Sequence, residues 1–82
     1  MTLRQTSRFL AFIWYRERNP GVSTRACGDW ASHHWQEFAI LVTEPMLKDT
    51  KEGRQDFRAA VERLKTFSVL NADECRFKLR MK

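Results

Sequence analysis

At the end of the chain apolar and polar side chains alternate without a break. Cys75, Phe77, Leu79 and Met81 interleave with Arg76, Lys78, Arg80 and Lys82, and a period of two sends the first set to one face of a strand and the second to the other. Upstream the period lengthens. Phe57, Ala60, Val61, Leu64 and Phe67 fall at i, i+3, i+4, i+7 and i+10, the stripe of an amphipathic helix that buries one side. Asp49 or Thr50 can cap its start, with Glu52 at the third helical position if Asp49 is the cap, while Gly53 weakens the first turn.

The N-terminal half reads as sheet. Ser7 to Glu17 predicts a strand because Phe9, Phe12, Ile13, Trp14 and Tyr15 are aromatic or β-branched and Asn19-Pro20-Gly21 follows as a turn. Apolar on both faces, it is expected to be central, with Val22 to Cys27 returning beside it before Gly28-Asp29 breaks the run. Residues 30–44 fit two patterns. Ala31, His34, Trp35, Phe38, Leu41 and Val42 make a helical stripe between an Asp29 cap and a Pro45 terminator, whereas Phe38 to Thr43 makes a buried strand. The strand is preferred, because Ile40, Val42 and Thr43 lose side-chain freedom in a helix and the helical stripe leaves out Trp30 and Ile40. The order β-β-β-α-β then predicts an α+β fold, an antiparallel sheet covered by one helix, in a single domain over residues 1–82.

Composition narrows the class. A chain of 82 residues with 43% hydrophobic and 30% charged side chains is sized for one core and too apolar to stay disordered. Its longest apolar run, Phe9 to Tyr15, has seven residues, far short of the roughly 20 of a membrane-spanning helix. Arg16-Glu17-Arg18 follows that run with no small-x-small cleavage site, so the chain reads as unprocessed and cytoplasmic, with Cys27 and Cys75 as thiols.

Charge points to the partner. The net charge is +5 and the pI near 9.8, which favours acidic surfaces or nucleic acid. The bases are uneven: residues 1–25 hold five arginines against Glu17 alone, and residues 76–82 hold four bases and no acid.

Candidate chemistry is thin. Cys27, His33, His34 and Cys75 are zinc-ligand types without the close pairs that fix half a tetrahedron, so no metal or cofactor is expected. Ser32, His33 and His34 supply a possible nucleophile and base. Ala31-Ser32-His33-His34 resembles the G-S-H-H of the HicA toxins, small double-stranded-RNA-binding-like folds that cleave mRNA. The likeness spans four residues, Ala31 stands where that family has glycine, and the expected order of elements is not helix-first, so membership is not assigned.

The residues expected to touch a partner are Arg76, Lys78, Arg80 and Lys82 on the last strand, Arg16 and Arg18, and the tryptophans Trp30 and Trp35 that flank the Ser-His-His stretch. They predict a non-enzymatic inhibitor or adaptor of the stand-alone kind that phages and mobile elements use against host complexes, CRISPR effectors included. Such a protein would cover an acidic or nucleic-acid-binding surface of its target. The alternative is a nucleic-acid-binding module gripping phosphates through the last strand. A ribonuclease using His33 and His34 comes third, and the final strand, as a sheet edge, allows a homodimer.

Overall fold

The computed structural model describes residues 1–67, and these form three helices. Helix α1 is Leu3–Arg18, α2 is Thr24–His34 and α3 is Lys51–Leu64. Two 3₁₀ segments, Trp35–Leu41 and Glu44–Leu47, join α2 to α3. No strand occurs among the described residues, so the α+β sheet is overturned. The expected strand over 7–17 is the body of α1, the expected return strand over 22–27 opens α2, and Phe38 to Thr43 lies in the first 3₁₀ segment and the turn after it. The basic final strand, with any dimer through its edge, lies outside the described residues.

Local chemistry accounts for each helix. Thr2 caps α1 with a capping box: its hydroxyl accepts from Gln5 N at 3.1 Å while Gln5 Oε1 accepts from Thr2 N at 2.9 Å, which satisfies two otherwise orphaned amides. Asn19-Pro20-Gly21 ends α1 as a turn, and Ser23 caps α2 through Ala26 N at 3.2 Å. Thr50 caps α3 through Gly53 N at 3.0 Å. The amphipathic stripe of α3 is present as expected, with Ala60 and Leu64 buried and Phe57 and Val61 half-buried.

Burial shows why the first two helices resemble strands in sequence. The inward face of α1 is Thr6, Ser7, Leu10, Ala11 and Trp14: two of its five positions are polar, while Phe12 and Ile13, half-buried, pack at the edge of the core and Phe9 is exposed. Apolar residues therefore surround α1 from Phe9 onward, and the 3.6-residue period is hidden. From α2 into the 3₁₀ segment the buried set is Cys27, Trp30, Ala31, His34, Phe38 and Leu41. That row has helical spacing, and it starts on the far side of Gly28-Asp29, which continues the helix instead of breaking it.

Aromatic rings fill the core. Trp30 stacks on Trp14 at 5.6 Å and on Tyr15 at 4.5 Å, and meets Phe38 edge-on at 6.0 Å; such pairs add about 0.5–1.5 kcal/mol each beyond the area they bury. The end of α3 is tied to α1. Trp14 Nε1 donates to Phe67 O at 3.0 Å, and Arg18, lying 4.2 Å over the Trp14 ring, donates to Leu64 O at 3.1 Å. A cation on the last carbonyls of a helix satisfies acceptors that have no intrahelical donor.

Candidate partner-docking face

The large apolar side chains left exposed among the described residues are Met1, Leu3, Phe9 and Ile40, and Phe9, on the outward face of α1, stands at grooves lined by further apolar groups. Phe9 is 51% exposed, and Phe12 and Ile13, half-buried, continue its row along the helix. Helix α3 brings Phe57 to this row, its ring edge-on to Phe9 at 5.7 Å. Between α1 and α2 runs a groove of about 590 Å³ that reaches from Phe9 and Phe12 to Gly28 and Ala31. Between α1, the second 3₁₀ segment and α3 lies another of about 640 Å³, lined by Phe9, Met46 and Phe57. Phe9 is a wall of both.

Bases rim this apolar surface. Arg8 and Arg25 border the first groove, Lys48, Arg54 and Arg58 the second, and Arg16 the hollow beside Phe12 and Ile13. The acids at the same rims are Asp29, Asp49 and Glu17. Asp49 sits 3.1 Å from Arg54, both side chains well exposed, a pair worth little that a competing carboxylate can open. Among the described residues no ion pair engages Arg8, Arg16, Arg25, Lys48 or Arg58. The face is a hydrophobic centre inside a mostly cationic ring, the layout of a surface that binds an apolar segment with acidic flanks.

The residues singled out from sequence scatter. Arg16 lies on this face. Arg18 is engaged in closing α3 on α1. Trp30 is 7% exposed at the centre of the aromatic cluster, so it holds the fold and is not a surface anchor. Trp35 is half-buried with the Arg4 guanidinium 5.8 Å from its ring centre. Arg76, Lys78, Arg80 and Lys82 lie outside the described residues. Sequence reasoning missed Phe9 as a surface group. The available signal was the unbroken run Phe9 to Tyr15: if helical, such a run is apolar all round, and a small domain covers only part of it.

The histidine stretch is arranged for structure. Ser32 Oγ donates to Gly28 O at 2.9 Å, so its proton goes to the helix backbone and not to an imidazole. His33 is exposed, its Nδ1 donating to Asp29 O at 2.7 Å. His34 is buried against Trp30 at 4.4 Å. Burial pushes its pKa below the ordinary 6.5, outweighing the Glu37 carboxylate, which raises it; His33 lowers it further. Near neutral pH His34 is therefore uncharged, and its 3.9 Å approach to Glu37 is too long for a hydrogen bond. Ser7 Oγ, Trp30 Nε1 and His34 Nε2 are buried without hydrogen-bond partners, so packing alone secures this contact. Cys27 is a buried free thiol. No three metal-binding side chains converge among the described residues.

The described residues form a small helical fold with a basic-rimmed apolar face. No helix among the described residues is long and apolar enough to cross a membrane. In comparisons with known proteins, no family model matches the chain, and no curated protein or solved structure matches it either.

Proposed function

We propose that this chain is a non-enzymatic cytoplasmic inhibitor or adaptor that captures an acidic, amphipathic helical segment of a protein partner on the outward face of α1. The observation that carries this is Phe9, half exposed between two grooves whose rims are mostly basic. A helix laid in such a groove buries its apolar stripe on Phe9, Phe12 and Phe57 and meets the bases with its flanking carboxylates. Electrostatic attraction speeds the encounter, and apolar burial sets the lifetime of the complex. Nucleic acid is the competing ligand, since phosphates would meet the rim and a base could stack on Phe9; an amphipathic helix is preferred because its side chains also fill the grooves on either side of that ring.

The test is a selection of displayed random 16-residue peptides against the folded chain, with Phe9→Glu and the charge reversal Arg58→Glu as counter-targets. Enriched sequences are expected to be acidic, with apolar residues at helical spacing, and to bind both variants more weakly. Enrichment of neutral or basic peptides, or equal binding to both variants, defeats the proposal. So does the absence of any enriched peptide alongside oligonucleotide binding with a log–log salt slope of about −3 to −4, which is phosphate recognition by about four bases.

A further inference from the structure

Resting on the docking face proposed above, we infer that the bound segment is held by two apolar anchor residues, one on each side of the Phe9 ring, each accompanied by a carboxylate. The two grooves are similar in size, about 640 and 590 Å³, within the range of formed binding pockets. Both are open to solvent, which suits side chains carried on a longer segment better than a fully enclosed small molecule.

Their linings repeat one scheme. On the α3 side Met46 and Phe57 form the apolar floor, and Arg58 and Lys48 stand at the rim. On the α2 side Phe12 and Ala31 form the floor, and Arg8 and Arg25 stand at the rim. Phe9 separates them, its ring fixed edge-on to Phe57 at 5.7 Å. Methionine on the α3 side adapts to anchors of different shape. Each side keeps more positive than negative charge, since one acid faces three basic side chains at the α3-side groove and one faces two at the α2-side groove. A purely apolar ligand would leave these bases unused. A second copy of the same face would set arginine against arginine.

The experiment uses the full chain with ¹³C-methyl labels on methionine and alanine and, as probe, an acidic peptide from the selection. Met46 reports the α3-side groove and Ala31 the α2-side groove. The intact peptide is expected to shift both methyl signals. Replacing either anchor by serine should restore one signal alone and weaken binding about tenfold or more. Arg58→Glu should lower affinity only while the carboxylate beside the α3-side anchor is present, and Arg25→Glu should do the same for the other. If the peptide binds but one anchor accounts for the affinity, or one methyl alone responds, the two-anchor arrangement is wrong and docking on α1 stands. If no acidic peptide is enriched, both fall.

Discussion

Two glycines inside helices should respond to alanine in opposite directions. Helix propensity alone favours alanine over glycine by about 1 kcal/mol at either site. At Gly28, in the body of α2, a Cβ would meet nothing within 4 Å, so Gly28→Ala should realise most of that gain. At Gly53, in the first turn of α3, a Cβ would run into the carbonyl oxygens of Pro45 and Lys48, the latter 2.8 Å away. Backbone oxygens cannot rotate aside as a side chain does. The first turn of α3 must back away from the second 3₁₀ segment, loosening the contacts around Met46. With two backbone oxygens in the way the cost lies in the upper part of the overpacking range, about 2–3 kcal/mol, which exceeds the propensity gain of about 1 kcal/mol and leaves Gly53→Ala about 1–2 kcal/mol less stable. Urea unfolding followed by tryptophan fluorescence reads both variants. With a slope of about 1 kcal/mol per molar for a small domain, the midpoint should rise by up to about 1 M for Gly28→Ala and fall by about 1–2 M for Gly53→Ala. If Gly53→Ala raises the midpoint as Gly28→Ala does, the close approach of α3 to the preceding segment is refuted.

Other consequences concern the core and the α3 closure. His34 in the folded protein resists protonation, whereas the unfolded chain takes up the proton at the ordinary 6.5; its share of stability is therefore full above that pH and is lost as pH falls below it toward the depressed folded value. Melting temperature measured from pH 8 to pH 5 should drop on the acid side, and in His34→Leu that acid limb should flatten; an unchanged limb would refute the assignment. Arg18→Ala should cost about 1 kcal/mol by releasing the α3 carbonyls and uncovering Trp14, and Arg18→Lys should recover little of it, because an ammonium cannot fork between carbonyls while lying on a ring. Thermal melts of the two variants check this. Phe38, fully buried between Trp14 and Trp30, should cost about 3–5 kcal/mol when cut to alanine, a large share of the roughly 4–12 kcal/mol expected for a chain of this length; a full urea curve matching the parent would contradict its place in the core.

Helix α3 was legible in the sequence because its stripe of Phe57, Ala60, Val61 and Leu64 stands out against charged neighbours, and Thr50 offers a cap. The basic bias of residues 1–25 was legible as well, and Arg8, Arg16 and Arg25 do stand together around one face. The basic-rimmed apolar face itself was not, since it depends on which side of α1 the other helices cover. Trp30 and Trp35 looked like surface groups because polar residues adjoin them in sequence. A helix sorts neighbours by angle instead, and the turn that exposes His33 buries Trp30 and His34.

By itself the chain determined the amphipathic stripe of α3, the turn at Asn19-Pro20-Gly21 and the excess of bases over acids. Only the tertiary structure decided that the aromatic run from Phe9 to Tyr15 is a helix. Aromatic and β-branched residues favour strands when a sheet is there to pair with. Here the Thr2 capping box starts a helix, and Trp14 gains the stacked rings of Trp30 and the edge of Phe38, a cluster that an isolated strand would not assemble. Packing outweighed local preference, and in doing so it left Phe9 facing outward.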